Sequence, residues 1–380
     1  MPRNVIVCCD GTNNEFGAEN TNVVRVVQCL QQGTDQQLVY YDPGIGTMPD
    51  PRLITRIGQR IGEAVDLGFA TGFDRKVEEA YTYLMNTCQE GDRLFLFGFS
   101  RGSYTVRVLA GMLHRLGLLP RGSENFVPYA MRLFAGPARD KTYFKVCDKF
   151  RWSFARPAFA GDADHHFPIH FLGVWDTVSS VGWVWDPVNF PDTVRNPSIA
   201  HIRHAVSVDE HRTSFRTNLM KPPEHGMQDL VQLWFPGVHS DVGGGYPESQ
   251  GLLFRGAFDW ILDEAVANDL LVDVERRKEV APPLPPGRNA WTDPQHESLK
   301  GAWKIAEFFP KKHYDRDTGT SGYKANLFEH RFIEPGQLMH EWTLRRIRDK
   351  ADYNPPNMTA AFLDRVRAMA EVPPAMPYEP

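Results

Sequence analysis

Short runs of β-branched and aromatic residues alternate along this chain with stretches whose apolar positions recur at helical spacing. Val5 to Cys8 is the first run, and it stops at Asp10-Gly11-Thr12-Asn13-Asn14, a dense set of turn formers that predicts a strand followed by a loop. Thr21 or Asn22 then caps a helix through Leu30, and Leu38 to Tyr41 gives a second strand closed by Asp42-Pro43-Gly44. Leu94 to Phe97 is apolar without a break, the composition of a strand buried on both faces of a parallel sheet, and a helix from Arg101 to Leu116 follows it. Further buried strands are expected at Ile169 to Trp175, Ala205 to Val208 and Leu230 to Phe235, with a helix near Phe258 to Leu271. Strands separated by helices in this way predict an α/β fold built on a mostly parallel, doubly wound sheet.

Two stretches interrupt this alternation as helical insertions and are candidate lids, around 48–75 and 120–165. From Leu53 to Met85, Ile57, Ile61, Val65 and Phe69 keep helical spacing, while Gly58, Gly62, Gly68 and Gly72 fall among them. Each glycine costs a helix about 1 kcal/mol relative to alanine, so their number points to close packing of helices or to a flexible cover. Pro282-Pro283-Leu284-Pro285-Pro286-Gly287 cannot continue regular structure and marks a boundary. The chain therefore divides into a catalytic-type core over 1–275 and a helical or irregular extension over 276–380. Trp291, Trp303, Phe308, Phe309 and Trp342 make that extension too aromatic for a disordered tail, and Thr359 caps a last helix to Ala370.

Acidic and basic residues nearly balance at 47 and 42, so no strong field calls for nucleic acid or an anionic membrane, and any membrane-surface contact is local and transient. The five cysteines, Cys8, Cys9, Cys29, Cys88 and Cys147, form neither a metal pattern nor a disulfide framework, which fits a reducing compartment. The N-terminus has no signal-peptide core and no later run is long enough to span a bilayer, so the expectation is a soluble, cytoplasmically made protein whose export would need no cleaved signal.

The chemistry concentrates at strand ends. In Gly98-Phe99-Ser100-Arg101-Gly102 a serine lies between an apolar strand and a helix, and the flanking glycines leave room for the strained turn that exposes such a nucleophile. The amide of Arg101, at the helix N-terminus, faces any oxyanion formed there, while its side chain reads as a surface or salt-bridging group. A serine nucleophile needs an imidazole base and a carboxylate to orient it, in the chain order Ser, acid, His. Asp176 ends the run Phe171-Leu172-Gly173-Val174-Trp175, with Asp209 in the charged cluster Val208-Asp209-Glu210-His211-Arg212 as its rival. Among thirteen histidines, His239 stands apart because Leu233-Trp234-Phe235-Pro236-Gly237-Val238 delivers it into a loop rich in glycine, with Asp241 nearby as a supporting residue. The loop after the first strand offers the second oxyanion donor through Gly11 or Thr12, with Asp10 shaping the loop by hydrogen bonds.

Taken together, Cys9-Asp10-Gly11-Thr12-Asn13-Asn14, Gly98-Phe99-Ser100-Arg101-Gly102, Val174-Trp175-Asp176-Thr177-Val178 and Gly237-Val238-His239-Ser240-Asp241-Val242-Gly243-Gly244-Gly245-Tyr246 resemble the catalytic domain of the type VI secretion phospholipase effectors, over roughly residues 4 to 270. The resemblance implies an α/β-hydrolase-like fold and hydrolysis of phospholipid or other lipid acyl esters by Ser100, Asp176 and His239, with no metal or other cofactor in the covalent steps. Such effectors often carry further membrane-engaging modules, and here little follows the core. No residue pattern supports a cognate immunity or secretion partner.

Three alternatives stand beside this one. Asp10-Gly11-Thr12 matches half of the DxDGT motif of haloacid dehalogenase-type phosphatases, with Cys8 where the nucleophilic aspartate belongs. Asp10, Asp176, His239 and Asp241 are a set that a metal-assisted hydrolase would use. A hydrolase fold can also serve as a silent binding module.

Overall fold

A computed structural model describes residues 2–11, 17, 19–44, 56–136, 140–157, 167–178, 182–183, 186–187, 190–212, 215–224, 228–300, 311–314, 321–324 and 328–380, with backbone alone for 56–71, 182–183, 186–187, 311–314 and 321–324. Six of its strands match the apolar runs: β1 (Asn4–Cys9), β2 (Gln37–Asp42), β3 (Arg93–Phe99), β4 (Ile169–Trp175), β5 (Ile199–Ser207) and β6 (Asp229–Phe235). Two more, β7 (Leu338–His340) and β8 (Ala375–Pro377), come from the C-terminal extension. They form one eight-stranded sheet in the order β8-β7-β6-β5-β4-β3-β1-β2. All neighbours in it are parallel except β7 and β8.

The unbroken apolar runs are explained by burial on both faces. Val5, Val7 and Cys9 of β1 and Leu94 and Leu96 of β3 enter one core, whereas Ile6, Cys8, Phe95, Phe97 and Phe99 enter the other. A parallel sheet covered on both sides requires this of its central strands. The first face is covered by α2 (Arg56–Thr87), α3 (Arg101–Leu116), α4 (Val127–Phe134) and α5 (Lys141–Phe154). The second is covered by α1 (Asn22–Cys29) and α7 (Phe254–Ala267), with α6 (His239–Gly243) preceding α7 in the chain.

Thr21 is the cap of α1, its hydroxyl accepting from the Val24 amide, while Asn22 turns inward and donates to the Val242 carbonyl at 2.8 Å. Of the first candidate lid, 48–55 lies outside the described residues, and the rest belongs to α2, whose Phe73, Val77, Ala80, Tyr81 and Leu84 are buried in the first core. The side chains of Ile57, Ile61, Val65 and Phe69 also lie outside the described residues. In the second candidate lid, α4 and α5 lie along α3, and Arg151 of α5 reaches the His114 carbonyl near its last turn, the end remote from residue 100.

The extension is more ordered in the sheet than its composition suggests. Beyond the two strands in the main sheet it holds a separate antiparallel pair, Lys311–Tyr314 with Ser321–Lys324, and folds as α8 (Val274–Val280), α9 (Glu341–Asp349) and α10 (Ala360–Arg367), the last capped by the Thr359 side chain. Met339, Leu344, Ile347, Phe362 and Val366 close a third core over Val206, Val208 and Trp234 at the ends of β5 and β6. No described helix is long and apolar enough to cross a membrane.

Candidate active site

Parallel register brings the chemistry-bearing residues to one edge. Cys9 pairs with Gly98, Phe99 with Trp175, Trp175 with Ala205, and Ser207 with Phe235, so the loops that begin at Asp10, Ser100, Asp176 and Val208 leave the sheet side by side. The strand order reverses at β1, which has β2 on one side and β3 on the other. The crevice at such a reversal is where open α/β sheets bind ligands, and Asp10-Gly11 and Ser100 flank it.

Ser100 occupies a strained backbone, φ 58° and ψ −122°, between β3 and α3, and its side chain makes no capping bond to the helix. Its amide donates to the Trp175 carbonyl at 3.1 Å, and the Ser103 hydroxyl donates within reach of the Gly98 and Trp175 carbonyls at 2.6 and 2.9 Å. The two glycines of the motif are required by packing. A methyl group at residue 98 would stand 2.6 Å from the Gly102 carbonyl oxygen, and one at 102 would stand 2.6 Å from that of Asp10.

Asp176 follows β4 with φ 37°, an uncommon conformation for a residue with a Cβ. Its Oδ2 accepts from His239 Nδ1 at 2.6 Å, and its Oδ1 accepts from the Ser207 amide at 2.9 Å and the Ser207 hydroxyl at 3.0 Å. Arg331 completes the set, Nη1 to Oδ1 at 2.5 Å and Nη2 to Oδ2 at 3.0 Å. Burial pushes the carboxyl up, but the Arg331 charge and the bond to His239 outweigh it and hold Asp176 well below the usual carboxylate range. Asp176 is thereby an ionised acceptor that fixes Nδ1–H on His239 and leaves Nε2 as the basic nitrogen.

The His239 ring lies between Phe99, 4.6 Å between centroids, and Phe215, 4.7 Å and edge-on. Burial lowers its pKa below the ordinary histidine value, against the opposing pull of Asp176. The backbone around it is pinned: the His239 amide donates to Glu210 Oε2 at 3.2 Å and the Val238 amide to Asp241 Oδ2 at 3.0 Å. Phe99 joins the two halves of the site, since it precedes Ser100 in the chain and packs on His239. Among the described residues, no hydrogen bond within 3.5 Å joins Ser100 to His239.

In the loop after β1, Gly11 is hydrogen-bonded within the loop. Its amide donates to its own neighbour, Asp10 Oδ1, at 2.7 Å. Asp10 also accepts from Thr21 Oγ1 at 2.6 Å and Tyr41 Oη at 3.2 Å. Thr12, the other donor considered, lies outside the described residues. The Arg101 amide opens α3 beside Ser100, and burial pushes the Arg101 guanidinium down to about 10.

The alternatives do not assemble. Asp209 accepts from the Gly237 amide at 2.7 Å and the Tyr353 hydroxyl at 2.8 Å, not from His239. Asp10, Asp176, His239 and Asp241 do not converge: Asp241 binds His296 Nδ1 at 2.6 Å while Asp10 faces Thr21 and Tyr41. Among the described residues no group of three His, Cys, Asp or Glu side chains is arranged to hold a metal ion. Cys8 is fully buried in the second core, and burial pushes its thiol up, away from thiolate chemistry.

The family described as "T6SS, Phospholipase effector Tle1-like, catalytic domain" matches residues 3–264. The chain belongs to that family. A Saccharomyces cerevisiae (strain ATCC 204508 / S288c) protein, described as "Uncharacterized protein YEL023C", is 35% identical over 264 residues, covering 66% of this chain and 37% of that one. The crystal structure of an uncharacterized protein from Pseudomonas aeruginosa aligns over 73% of this chain and 47% of its own, with 20% identity and a TM-score of 0.44. The structure of the Tle1 effector bound to the VgrG spike of the type 6 secretion system aligns over 65% and 51%, with 18% identity and a TM-score of 0.35. This Tle1-like chain thus spans about half or less of the proteins it matches. The motifs Gly98–Gly102, Val174–Val178 and Gly237–Tyr246 lie within the family's boundaries, whereas Arg331, His296 and Tyr353 lie beyond them.

Proposed function

We propose that the chain is a serine hydrolase that cleaves carboxylic esters, with the acyl esters of phospholipids as its substrate class. Membership of the phospholipase effector family supports the lipid class. The observation that carries the chemistry is the buried His239–Asp176 pair at 2.6 Å, next to a serine in a strained strand-to-helix turn at the sheet's reversal point.

In this proposal Ser100 Oγ attacks the ester carbonyl carbon while His239 Nε2 takes its proton, and the carbonyl oxygen becomes an oxyanion facing the Arg101 amide. The tetrahedral species collapses, the carbon–oxygen bond to the alcohol breaks, and His239 returns the proton to that alcohol. Water then attacks the acyl-serine by the same route in reverse, freeing the acid. Asp176 stays ionised throughout and stabilises the transient imidazolium. Substrate binding closes the approach of Ser100 to His239, as catalytic hydrogen bonds commonly tighten only in the complex.

The test compares wild type with Ser100→Ala on p-nitrophenyl butyrate and on vesicles of phosphatidylcholine and phosphatidylethanolamine, with and without EDTA. Wild type should release fatty acid with and without chelator, and the variant should lose about 10⁴-fold or more of kcat on every substrate it shares. Undiminished turnover by the alanine variant would overturn the proposal, and loss of turnover in EDTA would favour the metal-assisted alternative.

A further inference from the structure

Side chains from beyond the family's boundary at residue 264 hold four carboxylates of the loops after β4, β5 and β6, whereas Asp10 in the loop after β1 is held by Thr21 and Tyr41. Arg331 binds Asp176, Tyr353 Oη donates to Asp209 at 2.8 Å, Ser298 Oγ donates to Glu210 at 3.0 Å, and His296 Nδ1 meets Asp241 at 2.6 Å. Of the four, Arg331 touches the candidate acid itself. Its guanidinium is 4% exposed in its side chain and lies fork to fork with the carboxylate, Nη1 on Oδ1 and Nη2 on Oδ2. Its remaining bonds go to Ser207, the Oγ at 2.7 Å and the carbonyl at 3.2 Å, and to the Phe215 carbonyl, from Nε at 3.0 Å and Nη2 at 2.5 Å.

We infer that Arg331 is a positioning residue for the ester hydrolysis proposed above, on which this inference rests: it fixes the plane and charge of Asp176 and, through Phe215, the wall of His239. A bidentate guanidinium sets a carboxylate's orientation as no single donor does, so Oδ2 is turned to Nδ1 of the imidazole. Phe215 joins the two effects, because its carbonyl is bound by Arg331 and its ring lies edge-on to His239. The cation, bound to Asp176, also offsets that carboxylate's field at the imidazole, which Arg212 opposes and Glu210 reinforces from the loop after β5. Without it the base would feel the full carboxylate and hold its proton to higher pH. The C-terminal extension is then a part of the catalytic unit and not an appendage to it.

The experiment uses full-length Arg331→Met and Arg331→Lys beside wild type, with kcat/KM on p-nitrophenyl butyrate followed against pH and active sites counted with a fluorophosphonate probe. In Arg331→Met, kcat per active site should fall about tenfold to a hundredfold with KM little changed, and the acid limb should move up by roughly one pH unit. Arg331→Lys keeps the charge and loses the fork, so its acid limb should stay within about 0.3 unit of wild type while kcat still falls about tenfold. A structural role alone would lower the melting temperature and the number of active sites and leave both per-site quantities alone. Should Arg331→Met not fold, the lysine variant decides by its kcat. Wild-type rate and wild-type acid limb per active site in a folded variant would overturn the role of Arg331 while Ser100 still labels. A wild-type protein that does not label at Ser100 would overturn the hydrolase proposal and this inference with it.

Discussion

Gly102→Ala tests whether the close approach of α3 to the loop after β1 shapes the site. Residue 102 is helical, so in isolation alanine would be favoured by about 1 kcal/mol. The surroundings oppose it. The new methyl group would stand 2.6 Å from the Asp10 carbonyl oxygen and the Cys9 carbonyl carbon, and would press directly on the Cys9 carbonyl oxygen. All three are main-chain atoms, so no rotamer change relieves the clash. Restoring an ordinary contact of roughly 3.5 Å requires a relative shift of about 1 Å between the helix start and the loop. Overpacking of this kind costs about 1–3 kcal/mol, so the net loss of stability is up to about 2 kcal/mol. Calorimetry should find the melting temperature lowered by a few degrees, at roughly 2–4 °C per kcal/mol. The shift falls between Ser100 and the Asp10-Gly11 loop, where a displacement of about 1 Å can cost on the order of a hundredfold in rate. Turnover of p-nitrophenyl butyrate per fluorophosphonate-titrated site should therefore fall far more than stability does. An alanine variant as stable and as active as wild type, or more stable with full activity, would refute the packing account.

Other consequences are open to direct measurement. Burial lowers the pKa of His239, so the base stays neutral below the ordinary histidine range, and kcat/KM should hold its plateau to below pH 6.5; an acid limb centred above that value contradicts the environment described. Burial pushes Asp209 up to about 7, so the native state keeps a proton that the unfolded chain releases near pH 4. Its contribution is fully present below about pH 4 and lost as pH rises through about 7, so Asp209→Asn should gain on wild type in melting temperature at pH 8 by the equivalent of a few kcal/mol, with the gap closing toward pH 4. Ending the chain after residue 264 strips Trp234, Val206 and Val208 of Met339, Leu344, Ile347 and Phe362. At about 1.5–3 kcal/mol for each of the three side chains laid bare, the loss of roughly 5–9 kcal/mol is comparable to the whole stability of a typical domain, so the truncated chain should show no cooperative thermal transition by circular dichroism.

Much of this site was legible because three apolar runs stop abruptly at chemistry-bearing loops. Leu94–Phe99, Phe171–Trp175 and Leu233–Phe235 predict strands whose carboxyl ends carry Ser100, Asp176 and the loop to His239. Both Asp176 and Asp209 follow apolar strands in a parallel sheet, and the sequence favours Asp176 because Asp209 sits in the charged cluster Val208-Asp209-Glu210-His211-Arg212, which reads as a structural ion-pair network. Geometry separates them: Asp176 bonds to His239, and Asp209 turns to Gly237 and Tyr353. The start of β5 was missed because His201, Arg203 and His204 break its apolar pattern. Arg203 is buried there through ion pairs with Asp229 and Glu264, which no local pattern reveals. Strands β7 and β8, three residues each, are too short to show a period. Arg331 lies 155 residues from Asp176, beyond the reach of any spacing rule.

Covalent labelling of the full-length chain with a fluorophosphonate, followed by peptide mass mapping, tests the nucleophile most directly. One adduct on Ser100, formed in parallel with loss of ester turnover and absent from His239→Ala under the same exposure, is the outcome expected. Turnover that persists with Ser100 fully modified, or inactivation that maps to another residue, would contradict the account.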